Sequence, residues 1–199
     1  MKMDEILELL KRTRTRDHIV LFYTDTEDRD KVLSAFLKAG LDKGEAVSYI
    51  CSEQSPEQTK QSLQAFGIDA EKYERNGALK IIDYSECFII NGKFNPSKTM
   101  SFLKNLVAES GRKGFRGLRV AEELACFFNS KMMDELIEYE LALHTKLRLP
   151  MTAISAYNQQ LITEIGGTEA DKLLFEVLRA HSTALIMGPG AIIVKTVIK

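Results

Sequence analysis

HIVLFYTDTEDRDKVLSAFLKAGLDKGEAVSYICSE, residues 18–53, decides the fold. It reads as an apolar strand, a polar loop, an amphipathic helix, a Lys43-Gly44 turn and a second strand ending in a polar triplet. A unit of roughly thirty-odd residues has the length that a right-handed parallel crossover requires. In a phosphate-binding domain of this shape the first loop is rich in glycine, so that backbone N–H groups can close around the anion. Here the loop from Thr24 to Lys31 holds no glycine and four carboxylates, Asp25, Glu27, Asp28 and Asp30, which repel phosphate. The architecture of a phosphate-binding domain is present without its phosphate chemistry.

The alternation of strand and helix continues outward from this unit. Before it, residues 1–16 form a short amphipathic helix with Ile6, Leu9, Leu10 and Thr13 on one side, acids first and bases last, set against the body or a partner. Residues 17–199 read as a single α/β domain. Thr24 and Glu27 have capping-box spacing for a helix that turns Val32, Leu33, Phe36 and Leu37 inward and stops at Gly40. Ser55-Pro56-Glu57-Gln58 starts the next helix, and residues 79–83 make a third strand. Asn91-Gly92 reads as a tight hairpin turn. A helix over 97–110 precedes a fourth strand over 118–121, which runs into Glu122-Glu123. A helix over 131–147 is ended by Pro150. A fifth strand over 152–156 brings Tyr157 to its edge, and a last helix ends at His181. Residues 184–187 and 191–198 pair as a terminal antiparallel hairpin. The fold class is therefore α/β, a three-layer domain with a mostly parallel sheet and a C-terminal antiparallel hairpin.

Bulk properties narrow the function. With 199 residues, 45% of them hydrophobic, the chain can bury one substantial core. A net charge of -1 gives no bias toward nucleic acid or an anionic membrane, so direct nucleic-acid binding is not expected. Arg12, Arg14 and Arg16 read as the solvated end of a helix. Cys51, Cys87 and Cys126 are too widely spaced for a disulfide framework or a zinc pattern, and they read as buried small hydrophobes in a reducing cytoplasm. No signal peptide is recognised, and no apolar run reaches the ~20 residues of a membrane span.

In open α/β sheets, ligands bind outside the carboxyl ends of the strands. On these strand assignments Tyr23, Glu53, Tyr84, Glu122, Glu123 and Tyr157 gather on that edge, a set suited to a small ligand with polar handles. Arg119 lies inside an apolar strand and needs a carboxylate, with Glu122, Glu123, Glu140 or Glu86 in reach. Tyr139 is expected in the core with its hydroxyl at the rim. Glu53 reads either as a site residue or as a cap for the helix near Pro56. His18 serves a neighbouring carbonyl or a ligand, and His181 a helix dipole or a ligand. No pair among His18, His144 and His181 has metal-ligand spacing, so no metal is expected, and no catalytic residue or cofactor is identified.

Two nested resemblances rest on these residues. Residues 18–83, with GEAVSY, SEQSPEQ and GALKIID, resemble the opening of the KaiC and RecA-like ATPases; Glu53 falls at their catalytic glutamate and Glu122 near their Walker B acid. The G-x-x-x-x-G-K-[ST] loop of those enzymes is absent. The chain is more closely similar to the MEDS sensory domain family, which resembles a RecA-type sheet without its phosphate loop. The match runs through His18 and Tyr23, Gly44-Glu45 and Tyr49, the segment from Glu86 to Phe94, Gly117-Leu118-Arg119, Glu122-Glu123, Tyr139-Glu140, Tyr157-Asn158 and His181. Where a C-x-Y arrangement is expected, this chain has Ser155-Ala156-Tyr157. The resemblance implies a non-catalytic sensor of simple hydrocarbon or one-carbon derivatives in prokaryotic signal transduction, working alone or through a regulatory protein partner. Its ligand set would be His18, Tyr23, Glu53, Tyr84, Glu86, Arg119, Glu122, Glu123, Tyr139, Glu140, Tyr157 and His181. Two alternatives stay open: a degenerate nucleotide-binding protein keeping ATPase chemistry through Glu53 and Glu122, and an interaction scaffold that forms a homodimer through its N-terminal helix or hairpin edge.

Overall fold

The computed structural model describes residues 3–145, 149–188 and 191–196, with backbone alone at 144–145 and 191–196. The expected continuations of a helix to Leu147 and of the last strand to Ile198, the Pro189-Gly190 turn and the His144 side chain lie outside the described residues. In chain order the elements are α1 (Met3–Lys11), β1 (His18–Tyr23), α2 (Thr26–Asp42), β2 (Ala46–Cys51), α3 (Pro56–Ala65), α4 (Ala70–Arg75) and β3 (Leu79–Asp83). There follow β4 (Ile89–Ile90), β5 (Lys93–Phe94), α5 (Pro96–Arg112), β6 (Leu118–Glu123), α6 (Ala125–Asn129) and α7 (Met133–Thr145). The chain continues with β7 (Met151–Asn158), α8 (Gln159–Ile165), α9 (Gly167–Ala180), β8 (Thr183–Gly188) and β9 (Ala191–Thr196).

The main sheet runs β3-β2-β6-β7-β1-β8-β9, parallel except for β9, which pairs antiparallel with β8. The three-layer reading holds. Because side chains alternate across a strand, odd and even positions feed different cores. Ile19, Leu21 and Tyr23 pack with Ile6, Val32, Phe36 and Leu63 on the α1–α4 side. Val20, Phe22, Ala153 and Tyr157 pack with Leu103, Leu136, Tyr139 and Val177 on the α5–α9 side. Central strands covered on both faces carry no exposed position: β1, β2 and β6 are buried at every residue.

Local chemistry sets several boundaries. Ser55 and Gln58 form the expected capping box of α3, with Pro56 in its first turn. Asn91 and Gly92 both take positive φ, 52° and 71°, as the tight turn between β4 and β5 demands. The cap of α2 is Asp25 rather than Thr24: its carboxylate accepts from Glu27 N and Asp28 N. Strand β6 extends through Glu122 and Glu123, two residues past the expected end, because both carboxylates find buried partners.

Gly40 does not stop α2, which runs on to Asp42; the reversal falls at Gly44, with φ of 77°. Gly40 instead makes room for Arg119, whose Cδ would lie 2.6 Å from any Cβ placed there. None of the four carboxylates expected to pair with Arg119 does so. Its guanidinium crosses the α2 face of the sheet to pair with Glu45 and donates to Thr13 Oγ1 at 2.9 Å, Phe36 O at 3.2 Å and Leu10 O at 3.3 Å. It also lies 5.1 Å from the Phe36 ring centroid. One buried side chain thus ties β6, α2 and the end of α1 together.

Replacing Arg119 with Ala leaves Glu45 unpaired and the α1 terminus unheld. We expect a loss of about 3 kcal/mol in urea unfolding and faster proteolysis within residues 1–16, with Arg119→Lys restoring neither because it lacks the planar fork of donors.

Candidate functional site

Adjacent residues on β6 point their carboxylates through opposite faces of the sheet and organise two buried polar clusters. On the α2 face, Glu123 accepts from Tyr49 OH at 2.7 Å, Ser52 N at 2.8 Å and Glu53 N at 2.7 Å. Arg29, in the first turn of α2, lies 3.4 Å from Glu123, 3.3 Å from Glu53 and 2.7 Å from Asp30. Tyr23 donates to Glu53 and sits beneath the guanidinium. Burial opposes the charge on Arg29, but the carboxylates of Glu123 and Asp30 outweigh it and hold the guanidinium ionised. Glu53 is raised, chiefly by burial, against the opposing pull of Tyr23 and Arg29. This cluster gathers three acidic groups around one internal cation.

The cluster on the α7 face is different. Glu122 accepts from Tyr139 OH and from Ser155 Oγ, both at 2.6 Å. Ser155 is the register partner of Glu122 on β7 and of Val20 on β1, so its hydroxyl stands at the centre of the sheet. His18 Nε2 lies 3.1 Å from the same hydroxyl. Glu140, next to Tyr139 on α7, accepts from Tyr157 OH, and its Oε2 lies 3.7 Å from His18 Nε2 and 3.5 Å from His181 Nε2. The two imidazoles are in contact, with centroids 3.9 Å apart and planes tilted by 41°. They meet because β1 and β8 start side by side: Ser182 N and Oγ each reach His18 O at 2.9 Å.

Glu122, Glu140, Ser155 and His181 are completely buried and His18 is 8 % exposed. Neither carboxylate pairs with a lysine or arginine among the described residues. Burial accordingly pushes both carboxyls up, Glu122 to about 7 and Glu140 further, the latter also repelled by Glu122. Tyr139 and Tyr157 are raised by burial and by the carboxylates they donate to, so both remain neutral donors. Phe88, Phe94 and Phe127 surround Tyr139, while Phe22 and Phe128 flank Tyr157.

The structure therefore divides the sequence-predicted set. It brings together His18, Glu122, Tyr139, Glu140, Tyr157 and His181 on one face, and Tyr23, Glu53 and Glu123 on the other. It leaves Arg119 at the far end of β6 in its own anchor. Tyr84 and Glu86 sit in a 3-10 turn after β3, where Glu86 accepts from Asp83 N. Tyr139 is buried entirely rather than ending at a rim, and Glu53 is no helix cap, since Ser55 has that place. Sequence reading missed Arg29 and Ser155. Arg29 falls three and four positions before Val32 and Leu33 on the buried face of α2, and Ser155 alternates with Ala153 and Tyr157 on β7; both periodicities signal burial.

A parallel sheet with helices on both faces and a polar interior beside its central strand makes this a three-layer α/β protein. The model of the MEDS family, described as the methanogen/methylotroph, DcmR sensory domain, matches residues 17–182, and the chain belongs to that family. Among solved structures it is similar to the KaiC-like protein PH0186 of the hyperthermophilic archaeon Pyrococcus horikoshii OT3, at 15% identity and a TM-score of 0.58 over 86% of this chain and 71% of that one. A second protein of the same organism, PH0250, matches at 12% identity and a TM-score of 0.62 over 98% of this chain and 93% of that one. No curated protein matches the chain. Among the described residues no helix is long and apolar enough to cross a membrane.

A folded-state carboxyl raised above its unfolded value of 4.5 favours folding at low pH, and that contribution is lost as pH rises through the folded value. For Glu122 the window is 4.5 to about 7. Stability in chelator-containing buffer is expected to fall between pH 5 and pH 7.5, and Glu122→Gln to flatten that slope in pH-dependent urea titrations. An unchanged slope in the variant would remove Glu122 as its source.

Proposed function

We propose that this chain is a non-catalytic sensory module of prokaryotic signal transduction that binds a small polar organic compound on the α7 face. The observation that carries this reading is a buried pair of carboxyl groups, each held by a tyrosine and walled by phenylalanines, with no cation among the described residues of the kind Arg29 supplies across the sheet. Such a site offers hydrogen-bond handles in an apolar surround, which suits a hydrocarbon derivative of few carbons. The sensory description of the family supports the same reading. The module would act in the cytoplasm through a regulatory protein partner or a second copy of itself.

Two features weigh against chemistry. Burial raises the thiols of Cys51 to about 11 and Cys126 to about 12, and lifts Cys87 too, so none is a ready nucleophile. The N-terminus of α2, which would face phosphate, is already occupied by the Asp25 carboxylate.

The test is a thermal-shift panel of one- to four-carbon alcohols, amines, acids and halocarbons, with ATP and magnesium alongside. At 100 times its Kd, a ligand selective for the folded state stabilises by about 2.7 kcal/mol, a Tm rise of several degrees. We expect such a rise with a small organic compound and its reduction in Tyr157→Phe, which removes a hydroxyl and keeps the ring. A shift with ATP alone would overturn the proposal in favour of a nucleotide switch.

A further inference from the structure

We propose that His18, Glu140 and His181 bind a divalent transition-metal ion with the coordination preferences of zinc, leaving a further position open to an oxygen donor from outside the protein. The three residues are remote in sequence, and their spacing along the chain gives no sign of a site. The fold makes one: a ligand atom from each lies within 4.8 Å of the other two, and all three residues are buried.

Geometry favours a metal over a chance meeting. Around a tetrahedral ion with bonds of about 2.0–2.1 Å, neighbouring ligand atoms stand about 3.3 Å apart. Glu140 Oε2 is 3.5 Å from His181 Nε2 and 3.7 Å from His18 Nε2, too long for hydrogen bonds and within a few tenths of an ångström of that spacing. Glu140 Oε2 is completely buried and accepts no hydrogen bond in the structure, while Oε1 is fixed by Tyr157. The second oxygen therefore faces the Nε2 atoms of both imidazoles.

The surroundings are those of a ligand set. His181 Nδ1 lies 2.7 Å from Val177 O, which can only accept. That nitrogen carries the ring proton, so in the neutral ring the lone pair is on Nε2, facing Glu140. A backbone carbonyl holding the distal N–H of a ligating histidine is the usual outer-shell arrangement at metal sites. Ser155 donates its hydroxyl proton to Glu122 and so accepts from His18 Nε2 in the metal-free protein. Metal entry moves the His18 proton to Nδ1 and frees Nε2. Two histidines and one glutamate leave at least one position vacant, where the polar end of a small organic compound could bind. The metal's part in sensing rests on the function proposed above; its binding does not.

The experiment uses the full chain, stripped with a chelator and titrated with cobalt(II), followed by zinc competition against a chromophoric chelator. We expect one equivalent, with the d–d absorption of a tetrahedral nitrogen and oxygen site and no thiolate charge-transfer band. Affinity is expected to fall more than about 100-fold in His181→Ala and in Glu140→Gln, beyond what loss of an outer-shell contact causes. Glu140→Gln keeps shape and stands in should His181→Ala fail to fold. No uptake, a thiolate band, or equal affinity in the folded variants would overturn the site. Running the small-molecule panel on stripped and zinc-loaded protein separates the two readings. Metal uptake with no compound shift in either form keeps the site and sinks the sensor; compound shifts without metal uptake do the reverse.

Discussion

The structure depends on two consecutive glutamates at the end of a strand that lies inside the sheet. Period-two alternation sends Glu122 and Glu123 through opposite faces, and neither face is open to water. A buried carboxylate without partners costs several kcal/mol, so each face had to supply its own donors. On the α2 face the answer is electrostatic, with Arg29, two backbone amides and Tyr49. On the α7 face it is hydrogen bonding alone, with Tyr139 and Ser155. The same strand therefore separates a cluster that holds its own cation from one in which no lysine or arginine pairs with the carboxyl groups among the described residues.

This asymmetry bears on what became of the phosphate site implied by the crossover at residues 18–53. Three things now occupy the junction of β1 and α2. Asp25 caps the helix, Arg29 fills the space above Tyr23, and Glu53 reaches both from the segment after β2. The positive end of the helix and the one buried cation beside it are both satisfied from within the chain. A polyanion entering there would have to displace internal ion pairs, which makes the carboxyl edge of the α2 face a structural joint.

Much of this fold was legible because the signals were local. Alternating apolar runs, the Ser55 capping box and the Asn91-Gly92 turn each act over a few residues, and the family resemblance supplied their order. The exceptions share a cause. Gly40 looks like a helix stop until Arg119 is seen lying against it, and Arg119 looks short of a partner until Glu45 is brought beneath it by the Gly44 turn. Both are long-range packing facts. Short helices such as α4 and α6 carry too few residues for a periodic signal to show.

The site was legible in composition and illegible in arrangement. The chemistry-bearing residues of the α7 cluster are nearly all visible as candidates, yet the strand pattern groups only Glu122 and Tyr157 of them, and with residues of the other face. Two geometric facts undo that grouping. The Tyr139-Glu140 pair descends from α7 into the layer below it, and β8 returns beside β1, setting His181 against His18 across the whole length of the chain. Sequence spacing cannot report a contact made by the first and the last helix-to-strand transitions of the family-matched region. Parallel pairing makes that contact unavoidable, because neighbouring strands begin at the same end of the sheet, so whatever residues open β1 and precede β8 must meet. Two imidazoles occupy those positions and the Glu140 carboxyl faces both, so the pairing of β1 with β8 brings three potential ligand groups together.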